Sequence, residues 1–180
     1  NSLWGKILKL TFEPDSLKVS VFSKGHRNPQ GIAKIGKDIF SVDHGPRGGD
    51  EINLIVEGGN YGWPLQSLGS EYNLKKINKK IDKSQNIKLP FYAFMPAIGI
   101  SFIAECPKNY ASYYDPFSCL AVSGMVGESI FLVVFNEDRV LFTERMNFGS
   151  RIRKFFVSDN KIFAVTDHEG IIYGNFEEME

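Results

Sequence analysis

Between Gly25 and Pro64 the chain sets two charge-bearing turns rich in glycine and proline, GHRNPQG and DHGPRGGDEINLI, ahead of an aromatic turn, NYGWP. In the second turn, Pro46 fixes its own φ and pushes Gly45 out of the α region, while Gly48 and Gly49 can take positive φ, so backbone carbonyls can turn inward together. Asp50 and Glu51 follow at once. Converging carbonyl and carboxylate oxygens are what a hard cation such as Ca²⁺ prefers. The same residues also fit a tight interstrand loop in which Asp50 and Glu51 satisfy local N–H groups, and no DxDxDG spacing favours the cation. In GHRNPQG, Pro29 holds Asn28 extended, so Arg27 offers a planar five-donor fork and Asn28 a donor and an acceptor from a strand end. A structural ion pair is the other reading for Arg27.

Further along, Ser150-Arg151-Ile152-Arg153 puts two guanidinium groups on one face of a strand by the two-residue period. They repel unless an anion or acidic groups lie between them. A bound di- or tricarboxylate explains the pair, and so does a solvated basic edge strand. His26 and His44 can each move a proton, but a base needs a positioned partner. Asp43 precedes His44 directly, and adjacent strand residues face opposite ways, so that pair is no ready-made dyad. No GxSxG occurs, and the two cysteines, Cys106 and Cys119, lack zinc or redox spacing. Two buried free thiols are the expectation, with a single disulfide the alternative in an exported protein.

The elements around these residues read as short strands. Leu17, Val19 and Val21 alternate with polar neighbours, and similar runs occur near Gly5–Phe12, Asp38–Asp43, Glu51–Val56, Ser118–Ser123, Ser129–Phe135, Val140–Arg145, Ile152–Val157, Ile162–Thr166 and Ile171–Phe176. Turn signals such as Glu13-Pro14-Asp15 and Asn136-Glu137-Asp138 separate them at the spacing of an all-β protein. Val140–Phe148, Ser150–Val157, Lys161–Asp167 and Gly170–Phe176 read as a four-stranded antiparallel meander of about 40 residues, the length of one propeller blade. The 180 residues then hold about three to four blades. One domain over residues 1–180 is expected, with a lysine-rich excursion at about 72–88 whose apolar positions are too sparse for a core-facing stripe.

Lys and Arg number 21, as do Asp and Glu, so no net field draws the chain to nucleic acid or an anionic membrane. The lysines of the excursion and Lys108 lack the interleaved aromatics that stack bases. No apolar run is long enough to span a bilayer. The start at Asn1 shows no basic and apolar leader, so either a signal was removed or residues lie upstream.

Taken together, GHRNPQG, DHGPRGGDEINLI, GGNYGWP and SRIRKFFVSDNKIFAVTDHEG resemble the glucose/sorbosone dehydrogenase family, the soluble quinoprotein aldose dehydrogenases, over essentially the whole chain. The resemblance implies the C-terminal half of a six-bladed β-propeller, hence a partial propeller here. It implies that Arg27 and Asn28 contact the ring of pyrroloquinoline quinone (PQQ), Arg27 polarising the quinone. The carbonyls of Gly45 and Pro46 would ligate the Ca²⁺ that polarises that cofactor, and Asp50 would line the site. Glu51 and the carbonyl of Tyr61 would ligate a structural Ca²⁺, and Arg151 and Arg153 would bind cofactor carboxylates.

The implied reaction oxidises an aldose at C1 by hydride transfer to the quinone, with a histidine base that the family carries in its N-terminal half, outside this chain. The 180 residues alone are then expected to be inactive, and their open blade faces to be covered by the missing half or by a homo-oligomer. The family's location implies a periplasmic or extracellular protein. Two positions depart from the pattern. Val126 stands where the family has a cofactor-binding lysine, and Ala97 replaces a hydroxyl. Those departures favour a second reading, a non-catalytic propeller module that binds a protein or carbohydrate. A third is a small β protein in which Ca²⁺ at the Asp50/Glu51 turn is only structural.

Overall fold

The computed structural model describes residues 2–77 and 85–176. Its elements run β1 (Lys6–Glu13), β2 (Ser16–Lys24), β3 (Pro29–Ile35), β4 (Asp38–Asp43), β5 (Asp50–Ile55), β6 (Tyr92–Phe94), β7 (Ile100–Glu105), α1 (Lys108–Tyr113), β8 (Ser118–Gly124), β9 (Ser129–Phe135), β10 (Val140–Asn147), β11 (Ile152–Ser158), β12 (Lys161–Thr166) and β13 (Ile171–Asn175). They form four antiparallel sheets: β1-β2, β3-β4-β5-β6, β7-β8-β9-β10 and β11-β12-β13. The chain is a partial β-propeller with two complete four-stranded blades, a three-stranded blade and an N-terminal hairpin. Strands β3, β7 and β11 begin their sheets and lie side by side, β7 between the other two.

The middle blade, β7–β10, is buried on both faces, which explains why its strands read SCLAVSG and SIFLVVF rather than alternating with polar residues. Leu120, Val122 and Val133 pack toward the first blade with Phe40, Val42, Ile52 and Ile100. Ala121, Ile130, Leu132 and Val134 pack toward the third with Ile152, Phe155, Ile162 and Ala164. Each of the larger side chains contributes about 1.5–3 kcal/mol by leaving water. Where β3 meets β7 the backbones close in: a Cβ on Gly31 would lie 3.1 Å from the Ile103 amide. Glycine at that position lets the inner strands approach.

Two buried polar groups fasten the blades. Asp50, at the start of β5, is fully buried and accepts from the amides of Ile98 (3.0 Å) and Ile100 (2.8 Å) as the chain enters β7. Ser101 donates to the carbonyl of Ile152 at 2.7 Å, tying β7 to the start of β11. The starts of β5, β7 and β11 are therefore tied together.

The structure corrects several expectations. Val140–Phe148 does not belong with the last three strands. Asn136 accepts from the amides of Asp138 and Arg139, closing a hairpin, and β10 pairs with β9 as the outer strand of the middle blade. Strand β11 then starts a new sheet. β3, β6, β7 and α1 were not anticipated; β3 carries the Pro29 and Gly31 that read as a turn. The apolar row of the hairpin, with Leu10 opposite Val19 and Phe12 opposite Leu17, is exposed rather than half-buried. Of the excursion at 72–88, residues 78–84, including Lys79, Lys80 and Lys83, lie outside the described residues. Its near end is anchored by buried Ile77 and its far end by the Lys88 amide, which donates to Asn60 at 2.8 Å.

Cys106 and Cys119 are not free thiols but a disulfide, with Cα atoms 5.5 Å apart. The β7–β8 register sets Glu105 opposite Leu120, so the next residues outward, Cys106 and Cys119, face each other across the hairpin. Helix α1 lies in the loop they close, with Tyr110 buried against them.

Three outcomes are expected. Reduction, or Cys106→Ser with Cys119→Ser, should lower unfolding stability by about 3 kcal/mol, the value for closing a loop of this size, read from urea curves with and without reductant. Asp50→Ala should cost about 3–5 kcal/mol, because the buried amides of Gly45, Ile98 and Ile100 lose the acceptor they share. Asp50's carboxyl is held below its ordinary value; burial opposes this, but the hydrogen bonds from His44, Ile100 and Gly45 outweigh it. Its contribution is complete above the ordinary carboxylate range and is lost as pH falls through its lowered value, so urea curves of Asp50→Asn should show a weaker loss of stability in acid than wild type.

Candidate functional site

The turn between β4 and β5 is built around Gly45. A Cβ there would lie 2.4 Å from the carbonyl oxygen of Gly48 and 2.5 Å from that of Gly49, and Gly48 and Gly49 both take positive φ (81° and 66°). Inside the fold, one oxygen of Asp50 accepts from the Gly45 amide (2.9 Å) and pairs with Nδ1 of His44 (2.9 Å). Asp50 thus does not open onto the site as the resemblance implies; it holds the turn from beneath. It also supplies the partner that the sequence gives no sign of for His44. Asp50 thereby anchors the imidazole of His44, a side chain that is 31% exposed, through Nδ1.

Arg27 folds back over this turn instead of projecting from the strand. Its Nη1 donates to the carbonyls of His44 (2.8 Å) and Gly45 (3.2 Å), and its guanidinium lies 5.5 Å from the Trp63 ring. Neither a carboxylate ion pair nor a free fork describes it. Its amide and that of Asn28 donate to the Asp43 carboxylate. Asn28 is exposed, and its Oδ1 accepts from Gln30 at 2.8 Å. His26 is buried, stacked on Tyr61 at 4.7 Å, and its Nε2 pairs with Ser23 at 2.9 Å.

Beneath Arg27 lies a small cavity lined by Asp43, His44, Gly45, Glu51, Tyr61 and Trp63 among others. Glu51 faces Asp43 across the β4–β5 register. Burial raises its carboxyl to about 7; Asn53 opposes this with a hydrogen bond, and the charges of Asp43 and Asp50 add to it. The Tyr61 hydroxyl donates to Leu54 (2.6 Å) and accepts from the Val56 amide (3.0 Å). Pro46 is buried behind the turn. Among the described residues no group of three or more His, Cys, Asp or Glu side chains could hold a metal, so a cation here would lean on carbonyl oxygens as well.

Arg151 and Arg153 stand at the start of β11 with Asp167 between them. Arg151 Nε donates to Asp167 at 3.1 Å, and Arg153 donates through Nε (2.6 Å) and Nη2 (3.3 Å). The acidic group that the paired guanidiniums require is thus a side chain of this protein. Its hydrogen bond and charge raise Arg153 above its ordinary value, and Arg153, against a smaller desolvation effect, holds Asp167 below its own. Nη2 of Arg151 lies 4.0 Å from the Met125 sulfur, one residue before Val126, which is 70% exposed. Ala97 and Val126 line one cleft, so the two positions that depart from the family pattern are neighbours in space.

The pieces converge through backbone contacts. Arg27 reaches Gly45, Gly45 reaches Asp50, Asp50 reaches Ile100, and Ser101 reaches Ile152, which sits between Arg151 and Arg153. Arg27 thus stands just before β3, and Arg151 and Arg153 at the start of β11, with β7 between the two strands. The arrangement can hold an anion and polarise a carbonyl.

Comparison with known proteins gives the same picture. The family model for Glucose / Sorbosone dehydrogenase matches residues 10–173. Aldose sugar dehydrogenase YliI of Escherichia coli is 40% identical over 93% of this chain and 49% of its own length. Quinoprotein glucose dehydrogenase B of Acinetobacter calcoaceticus is 44% identical over a shorter stretch, 33% of this chain and 15% of its own. A crystal structure of the soluble aldose sugar dehydrogenase of Escherichia coli in its apo form superposes with a TM-score of 0.77 at 26% identity, covering 95% of this chain and 54% of that one. The chain spans about half the length of that relative. On these grounds, and on the geometry above, this chain belongs to the glucose/sorbosone dehydrogenase family.

Proposed function

We propose that this chain is the cofactor-binding portion of a PQQ- and Ca²⁺-dependent aldose dehydrogenase that oxidises a sugar at C1. The observation that carries the reading is the placement of Arg27 just before β3 and of Arg151 and Arg153 at the start of β11, with β7 between those strands, donors suited to a quinone oxygen and to several carboxylates. Arg27 and Asn28 would hold the quinone ring, and Arg151 and Arg153 its carboxylates. When bound, PQQ accepts the hydride from the sugar. The donors of this chain fit such a group. The neutral Val126 beside Arg151 leaves one positive charge fewer than the family pattern supplies.

Two features support Ca²⁺. The carbonyls of His44 and Gly45 already converge on a positive charge, that of Arg27, so the turn favours a cation. Glu51 is a buried carboxyl beside Asp43, and a cation there relieves both its desolvation and that repulsion. Gly45 and Pro46 would contribute carbonyls at the first position, Glu51 and the Tyr61 carbonyl at the second. The proton acceptor for the sugar hydroxyl is expected outside these 180 residues, so binding, not turnover, is what this chain should display alone. A disulfide joining Cys106 and Cys119 supports an oxidising compartment, periplasmic or extracellular.

PQQ titrated against the chain with Ca²⁺ present should bind saturably at micromolar concentration, followed by absorbance or calorimetry. No saturation would end the cofactor reading and favour the non-catalytic binding module that Val126 and Ala97 suggest. Val126→Lys should tighten PQQ binding by roughly two- to fivefold, the ~0.5–1 kcal/mol of an exposed charge pair. Ca²⁺ at about 100 times its Kd should raise stability by about 2.7 kcal/mol at neutral pH. Glu51→Gln should remove most of that gain in a thermal-shift assay. An equal Ca²⁺ response in both proteins would mean that Glu51 holds no cation.

A further inference from the structure

The Arg151–Asp167–Arg153 triad has a geometry that an ordinary surface ion pair does not require. Strand β11 shifts register against β12 between Ile152, which faces Thr166, and Lys154, which faces Val165. Arg153 is the extra residue of that bulge, and bulges re-aim the side chain they carry. Asp167 is fixed in turn. Its amide donates to the Arg151 carbonyl at 3.2 Å, and the preceding Thr166 closes the turn on Gly170 through both its amide and its hydroxyl. A rigid carboxylate, 19% exposed, therefore meets two guanidiniums that are 44% and 56% exposed.

The atoms that Asp167 uses decide what remains. It takes Nε of Arg151, and Nε with Nη2 of Arg153, so it grips each guanidinium from the side. The end-on fork of Arg151, Nη1 with Nη2, makes no bond to it, and neither does Nη1 of Arg153. Bidentate recognition of a further carboxylate uses such a fork. One negative charge between two positive ones also leaves a net positive centre.

We propose that Asp167 is a positioning residue that holds the forks of Arg151 and Arg153 side by side as a preset receptor for a polycarboxylate anion. The proposal rests on the cofactor reading above in taking PQQ as that anion, and it assigns Asp167 a role of its own. Two effects oppose each other. Asp167 repels an incoming carboxylate, but across an exposed site that repulsion is screened by salt. It also orders two long, flexible side chains before the ligand arrives, and that preorganisation favours binding. Ordering outweighs repulsion here because both arginines reach well into solvent and have no other carboxylate partner among the described residues.

The test follows the arginine Nε–H signals by NMR in the whole chain, with two probes, PQQ and benzene-1,3,5-tricarboxylate. Wild type should show both signals as ordered, and Asp167→Ala should make both mobile without unfolding the protein. Affinity for whichever probe binds should fall about tenfold in Asp167→Ala and less in Asp167→Asn, which keeps one acceptor oxygen. In an Arg151→Ala/Arg153→Ala background, Asp167→Ala should cause no further loss, a non-additivity that general destabilisation would not produce. Equal mobility in wild type and Asp167→Ala would overturn the proposal. So would tighter binding by Asp167→Ala, which would make Asp167 a competitor, or the failure of both probes to move the signals. Binding of the tricarboxylate without binding of PQQ would keep the receptor and discard the cofactor reading.

Discussion

A single buried carboxylate, that of Asp50, joins the fold to the site. One of its oxygens faces the Gly45 amide and the His44 ring, and the other faces the amides that lead into β7. An ionised group with no exposure is tolerable only when hydrogen bonds replace its hydration, and four donors do so here. The consequence is geometric. The carbonyls of His44 and Gly45 cannot move without disturbing the junction of two blades, and Arg27 rests on those carbonyls.

Charge is layered around this point. Asp43, Asp50 and Glu51 lie within the fold at the β4–β5 turn, whereas Arg27 covers that turn and Arg151 and Arg153 lie at the surface at the start of β11. Successive residues on β5 point to opposite faces, which gives two adjacent carboxylates opposite fates. Asp50 gathers donors from its surroundings and is held in its charged form. Glu51 meets Asp43 in a small cavity, with little beyond Asn53 to help it, and is pushed toward its neutral form. At the surface, the Arg151/Arg153 pair is stabilised by a local carboxylate and still leaves donors unspent.

Packing follows a second rule. The middle blade is covered on both faces and holds half of the largest fully buried side chains among the described residues, including Leu120, Val122, Ile130 and Leu132. The third blade, whose strand β12 alternates buried with exposed residues, is covered on one. The hairpin exposes Leu10, Phe12, Leu17 and Val19, and the third blade exposes Phe156 and Tyr173 beside the stacked Phe163. Apolar rows of that extent on blade faces are interaction surfaces by composition. They lie at the two ends of the described chain.

The sequence by itself determined the all-β class, most of the strands, and the turns at Gly45–Gly49 and Asn136–Asp138, because these depend on local periodicity and on residues with restricted or permissive φ. It also singled out Arg27, Asn28, Glu51, Arg151 and Arg153 through motif spacing. What it left undecided depends on registers and contacts between distant residues. The β7–β8 register brings Cys106 to Cys119, although their spacing suggested free thiols. Strand β10 joins the blade before it because a hairpin turn outweighs mere nearness to β11. Asp50 finds His44 across a turn and Ile98 and Ile100 across a blade junction, and Asp167 finds both arginines through a bulge. Only tertiary structure decides such pairings, since a buried or bridging charge takes its partner from whatever the packing brings within about 3 Å.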